Sequence, residues 1–386
     1  MNRGPAGRYE VTATARETVR AFVPQPLPPQ PALDMSGPRQ RALEQAVLAC
    51  GRLDGLSALL PDPDLFLYAY IRREAVLSSQ IEGTQSTLAD LLLFELDEAP
   101  GVHFDEVVEV SNYVAALEHG MARLREGLPL SSRLLREVHG KLLAHGRGAD
   151  KLPGEFRRSQ NWVGGTRPGN AHFVPPPPAL VPDCMGELER FIHGDNPLPT
   201  LVKAALAHLQ FETVHPFLDG NGRVGRLMIA LMLHDERVLR QPLLYLSLYF
   251  KQHRDEYYYL LDSVRRDGDW EAWLDFFLEG VVMAAGAAVE TAHRLLALFR
   301  GDEQRLAATG RSAASALRVY GALRARPVAT IQYLGARVGL TFPTTARAVE
   351  ALISARIARE LTGGRRNRVF AYDQYLKILN EGAEPL

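Results

Sequence analysis

Cysteine is nearly absent from this chain: two residues, Cys50 and Cys184, among 386. Their spacing offers neither a disulfide framework nor a metal-ligand pattern. Long apolar runs are missing too. Val281 to Val289 is the longest run of small apolar residues, alanine-rich and too short for a membrane span. The N-terminus is polar and charged, unlike a signal peptide. No internal repeat stands out. These absences exclude a disulfide-stapled secreted domain and predict a protein of the reducing cytoplasm with no membrane partner. What is present suits a folded chain: 46% hydrophobic and 23% charged residues, with length for two or three domains.

One stretch concentrates chemistry. His215-Pro216-Phe217-Leu218-Asp219-Gly220-Asn221-Gly222-Arg223-Val224-Gly225-Arg226 holds a base, an acid, three glycines, an amide and two guanidinium groups. Beyond Gly222 the apolar residues recur at helical spacing: Val224, Leu227, Met228, Leu231 and Met232. The polar cluster is therefore a loop entering a helix N-terminus, where backbone amides and the dipole favour anions. Gly220 and Gly222 let the backbone approach phosphate closely. Arg223 and Arg226, three apart, project from one side of the first helical turns and can clamp phosphate oxygens. Asp219 offers a hard carboxylate for Mg²⁺, and His215 can accept a proton near neutral pH. Phe217 is expected to plug the loop into the core.

The string HPFLDGNGRVGR resembles the Fic-family pattern HPFx(D/E)GNGRxxR at every fixed position. The resemblance implies a protein adenylyltransferase with ATP as co-substrate and Mg²⁺ as its ion. His215 would deprotonate a Ser, Thr or Tyr hydroxyl of a target protein, which attacks the α-phosphate. The run Gly220, Asn221, Gly222, Arg223, Val224, Gly225 and Arg226 would hold the nucleotide, with both arginines on the β- and γ-phosphates. The related Doc kinases carry a lysine where Gly222 stands, so Gly222 favours adenylyl over phosphoryl transfer.

Further upstream, Ser78-Ser79-Gln80-Ile81-Glu82-Gly83 fits the family's inhibitory pattern (S/T)xxxE(G/N). The run from Leu65 to Ile81 is helical in spacing, Ser78 and Glu82 lie one turn apart, Gly83 ends the helix, and Thr84 can cap the next. The resemblance implies that Glu82 pairs with Arg226 and displaces the γ-phosphate. It also leaves open AMP removal, or transfer of another phosphate-linked group, as the main activity. Gly154 to Val163, then His172-Phe173-Val174, predict a hairpin that the family uses as a flap for the target segment. By the family's spacing Tyr258 is a candidate nucleotide contact. Gly268-Asp269-Trp270, with Trp273, Phe276 and Phe277, predicts a turn, an N-cap and a packed helix.

The expected fold is all-α: a helical Fic fold with a β-hairpin flap, followed by a winged helix-turn-helix. Residues 1–40 are a proline-rich arm, 41–115 a helical region with the inhibitory helix, 116–300 the catalytic core and 301–386 the winged-helix domain. From Arg311 to Tyr372 there are eleven arginines, no lysine and two acids, an excess of nine positive charges in a chain whose net charge is −1. Arg365, Arg366 and Arg368 would sit in the wing. That footprint predicts DNA binding through 311–372, or docking of a basic module. A DNA-binding regulator with a residual nucleotide site is the non-enzymatic alternative. Self-modification and a homodimer are further expectations from the resemblance.

Overall fold

Ahead of its prolines, the N-terminus alternates: Arg8-Tyr9-Glu10-Val11, then Val19-Arg20-Ala21-Phe22-Val23. Alternation of this kind makes half-buried strands. In the structure, a computed structural model that describes residues 3–14, 17–59, 63–96, 104–363 and 367–385, these stretches form an antiparallel hairpin. The expected arm is thus a folded element up to Pro24. The proline cluster begins at Pro24, the last residue of the hairpin, and composition over forty residues hid the strands.

The order is β1 (Gly7–Thr14), β2 (Glu17–Pro24), α1 (Pro38–Leu59), α2 (Pro63–Ile81), α3 (Leu88–Phe94), α4 (Phe104–Arg125), α5 (Ser132–Leu142), α6 (Val181–His193), α7 (Thr200–Val214), α8 (Asn221–Asp235), α9 (Ser247–Gln252), α10 (Arg254–Asp267) and α11 (Trp270–Ala307). Then follow α12 (Ala313–Ala325), β3 (Val328–Thr330), α13 (Ile331–Val338), α14 (Phe342–Ser354), β4 (Arg359–Glu360), β5 (Val369–Ala371) and α15 (Asp373–Asn380). Helix makes up 63% of the chain, so the fold is mainly helical, with two small sheets.

The chain gathers into two units. One joins Met1–Asp54 to Asn112–Ala285, the other Gly55–Ser111 to Gly286–Leu386. In the first, α7 is buried on nearly every face, as its apolar run through Leu201, Val202, Leu206, Leu209 and Phe211 requires, and it packs on α8. At the turn before α11, Gly268 has φ +67, a left-handed conformation suited to glycine. Trp273, Phe276 and Phe277 pack inward beyond it, as expected.

Arg3 fastens the N-terminus to α11. Its guanidinium hydrogen-bonds both carboxylate oxygens of Glu271 and the carbonyls of Pro31, Ala32 and Gly268. Burial alone would raise the Glu271 pKa, but the Arg3 hydrogen bonds and the Asp34 amide outweigh it and hold the group at about 2. Unfolded, Glu271 would titrate near about 4.3. A depressed folded value means stability fully present above the unfolded pKa and lost as pH falls through the folded one. Acidification from pH 5 to 2 is therefore expected to lower the melting temperature of the parent more than that of Arg3→Ala. Parallel melting curves for the two proteins would contradict this.

α11 is a longer apolar helix than the sequence expectation allowed for. It is one helix long and apolar enough, by length and composition, to cross a bilayer, and half of that window is buried inside the protein. Its alanines and glycines hid it as a run, because the helix is long rather than densely apolar.

In the second unit, α2 ends at Ile81. Glu82 stands in the turn that follows, its amide donating to the Ser79 carbonyl at 3.0 Å, and Gly83 has φ +97. Thr87, not Thr84, caps the next helix, in a reciprocal pair with Asp90. At the C-terminal end the sequence pattern predicts helices over 312–325, 330–338 and 343–355, and α12, α13 and α14 fall within about one residue of those bounds. Gly339 closes α13 in a left-handed conformation, and the strands order as β3-β5-β4, with β3 unforeseen. Arg365 and Arg366 lie outside the described residues.

Candidate functional site

α7 ends on a strained residue. His215 has φ 48 and ψ 59, and its amide still closes the helix onto the Phe211 carbonyl at 2.9 Å. A left-handed non-glycine residue costs roughly 1–3 kcal/mol and persists only where its surroundings fix it. Those surroundings begin in the loop that follows it. Phe217 is fully buried, as expected. Its ring stacks on His139 at 3.8 Å between centroids and packs near Phe156 and Phe211. Asn221 closes the loop on itself: its side-chain oxygen accepts the Phe217 amide and its NH₂ donates to the Phe217 carbonyl, both at 2.9 Å. The side chain of Asn221 thus shapes the loop, leaving its backbone amide at the helix start.

Gly220, at φ 76, is the N-cap of α8. The Val224 amide returns to the Gly220 carbonyl, so the amides at 221, 222 and 223 precede the first intrahelical bond. This is the amide-headed helix start that the sequence implied. Asp219 accepts the Gly220 amide at 2.6 Å and lies 3.5 Å from Arg223. Arg223 and Arg226 are buried, at 2% and 4% exposure. Val224 is fully buried, and Gly225 lies hard against α7, where an added Cβ would stand 2.4 Å from Glu212 and 3.2 Å from Phe211. Between 215 and 226, the residues that reach the surface in part are His215, Leu218, Asp219 and Gly222. The accessible face thus carries a base, a carboxylate and a glycine over two sequestered cations.

Three residues outside the run fix it, and the sequence reading named none of them for that role. Arg157 is 2% exposed, and its guanidinium donates to the carbonyls of Pro176, Val214 and His215. Its own amide donates to Pro216 at 2.9 Å. Burial lowers its pKa to about 10, so it stays charged at neutral pH. Asn161 donates to the Phe217 carbonyl at 2.9 Å. His139 accepts the Gly154 amide on Nδ1, which leaves the proton on Nε2 for the Asp219 carbonyl at 3.1 Å. Burial pushes His139 down to about 4, so it is neutral.

The predicted flap hairpin is reduced to one bridge, Val163 to Phe173, with a 3₁₀ turn at Pro168–Asn170. Glycines at 164 and 165 and the prolines from 175 end the pairing early. Tyr258 is 37% exposed on α10, with the Arg254 guanidinium over its ring, whereas Tyr257 is buried and bonded to His208. Ser78, fully buried, and Glu82 belong to the second unit.

Residues 40–122 match the Fic/DOC family N-terminal domain, and residues 129–233 match the Fic/DOC family domain that contains this loop. The chain thus carries matches to both Fic/DOC domain models. It is similar to the protein adenylyltransferase Fic of Drosophila grimshawi, 31% identical over 204 residues, 52% of this chain and 39% of that protein. The Drosophila melanogaster protein of that name is 30% identical over 204 residues, 38% of its length. The chain therefore spans less than half the length of these curated relatives. A Fic family protein from Desulfovibrio desulfuricans G20 superposes with a TM-score of 0.56 at 21% identity, covering 87% of this chain and 96% of that one. Fic-1 from C. elegans superposes with 0.51 at 21% identity over 67% of this chain and 73% of its own. At such identities these likenesses show the Fic fold.

Magnesium, the ion the resemblance implies, has one candidate ligand here. Among the described residues no group of three or more His, Cys, Asp or Glu could hold a metal. Asp219 alone faces the surface beside the amide-headed helix. One carboxylate completed by phosphate oxygens and water is the usual manner of Mg²⁺ at a nucleotide.

Proposed function

We propose that this chain is a protein adenylyltransferase that moves AMP from ATP to a Ser, Thr or Tyr hydroxyl of a target protein. The observation that carries the reading is the left-handed His215 set against an amide-headed helix whose first turns bury Arg223 and Arg226. The amides at 221–223 and the two guanidinium groups bind the triphosphate. His215 accepts the proton of the target hydroxyl. The hydroxyl oxygen bonds to the α-phosphorus as the bond from that phosphorus to its bridging oxygen breaks, and pyrophosphate leaves. When bound, Mg²⁺ at Asp219 neutralises phosphate charge. The experiment is intact-mass measurement of the purified protein after incubation with ATP and Mg²⁺. One AMP added supports the reading, an added phosphate points to phosphoryl transfer, and no adduct on the protein or on added proteins opposes both.

Glu82 acts as the brake in this reading. A carboxylate paired with Arg226 occupies the place of the γ-phosphate, and Ser78 supports the end of that helix. Glu82→Gly is expected to raise labelling from ATP by roughly tenfold, the scale of one lost charge pairing. Unchanged labelling on a gel removes the brake. We place the enzyme in the cytoplasm as a homodimer, with Tyr258 beside the adenine.

The residues after 301 form the second reading's territory. Their order of helix, strand, two helices and two strands supports a winged helix. An excess of arginine and the 63% exposed Phe342 at the start of α14 favour DNA as its partner. Pairing of Arg324 with Glu303, Arg359 with Asp373 and Arg368 with Glu350 and Glu360 weakens that charge. DNA binding predicts a Kd that rises by about tenfold or more between 50 and 200 mM salt. A flat salt response leaves docking as the module's role.

A further inference from the structure

The N-terminal hairpin does not end at its own two strands. The Phe22 amide, on β2, donates to the Val174 carbonyl at 2.9 Å, and Val174 directly follows the flap bridge at Phe173. β2 therefore continues the flap sheet on the side away from Val163. Apolar packing accompanies the bond: Val19 and Ala21 bury against Val174, with Trp162 and Ala171 alongside. The Phe22 and Phe173 rings lie 6.3 Å apart.

The far end of the flap is held as well. Glu17, at the start of β2, pairs with Arg167, and its other oxygen accepts the Gly169 amide at 2.8 Å. That contact caps the 3₁₀ turn at the flap tip. A Cβ on Gly169 would lie 2.5 Å from the Glu17 carboxylate, so the approach requires glycine there. The Arg167 hydrogen bond, helped by that of Gly169, holds the Glu17 carboxyl below its ordinary range against the opposing effect of burial.

We propose that the N-terminal hairpin is a brace for the flap: it seals the Val174 edge and fixes the tip, so that an extended target segment can pair only along the opposite edge, through the backbone of Trp162. Val163 directs its amide and carbonyl to Phe173. Strand geometry then turns those of Trp162 outward, toward an added strand, while Gly164, at φ +69, ends the extended stretch. The partner's chemistry is an extended backbone with a hydroxyl side chain. Its identity as an AMP acceptor rests on the adenylyl-transfer reading, whereas the brace itself does not.

The test uses Glu17→Ala and Glu17→Gln, because this side chain lies at the surface and its loss spares the core. Hydrogen exchange of the 161–174 amides is measured on the full chain, followed by labelling from ATP in a Glu82→Gly background. The brace predicts that exchange at the flap speeds up by about tenfold in Glu17→Ala, the effect of one charge-assisted hydrogen bond on a local opening. Glu17→Gln, which keeps an acceptor for Gly169, falls between. Labelling drops several-fold while ATP affinity is unchanged. Unaltered flap exchange in Glu17→Ala overturns the brace. Faster exchange with undiminished labelling overturns its role in placing the target. Faster exchange with no labelling in parent or variant upholds the brace and instead defeats the adenylyl-transfer reading.

Discussion

His215→Ala is expected to lower AMP transfer by more than about 10³-fold, near the upper range for loss of a positioned general base. ATP affinity should change by less than about twofold, since the phosphates are held by amides and guanidinium groups rather than by the imidazole. A backbone effect could imitate this loss, because His215 sits at φ 48. Asparagine tolerates that conformation, so His215→Asn keeps the turn and removes the base. Both variants should be equally inactive, with melting temperatures close to the parent. Activity retained by His215→Asn would mean that the residue shapes the loop rather than accepting the proton.

Arg157→Met is expected to damage stability and rate together. The guanidinium supplies donors to the Pro176, Val214 and His215 carbonyls from a site only 2% exposed. Removing it leaves buried acceptors without that donor, at roughly 1–3 kcal/mol each where no water enters. Several degrees of melting temperature should go with it, about 2–4 °C per kcal/mol. Arg157→Lys keeps a charge but not the fork, so it should recover little. Because the clamp grips the carbonyl of His215, the proposed base, kcat should fall while KM for ATP holds. A proportional loss of kcat and active protein, with kcat per folded molecule unchanged, would reduce Arg157 to a purely structural residue.

How much of this could be read from the sequence depended on the range of the interactions. Local signals were legible. The glycines, the amide and the apolar spacing after Gly222 announced a loop entering a helix, and the structure has α8 begin at Asn221. Phe217 was placed in the core, where it is fully buried. The turn at Gly339 separates α13 from α14. Contacts that span dozens of residues were not legible. Arg157 meets His215 across 58 positions, and His139 meets Asp219 across 80. Nothing in a single sequence distinguishes a guanidinium or imidazole that binds backbone from one that faces water. The flap hairpin is shorter than expected for a related reason: beyond its one bridge, the Val174 carbonyl accepts the Phe22 amide of β2, an element that five prolines between 24 and 31 had disguised as an arm.

The most direct measurement is a crystal structure of this chain with a non-hydrolysable ATP analogue and Mg²⁺. The account predicts the triphosphate along the amides at 221–223, with Arg223 and Arg226 on its outer phosphates and the α-phosphorus beside the His215 ring. A nucleotide bound elsewhere on the chain, with side chains filling the space before α8, would contradict it.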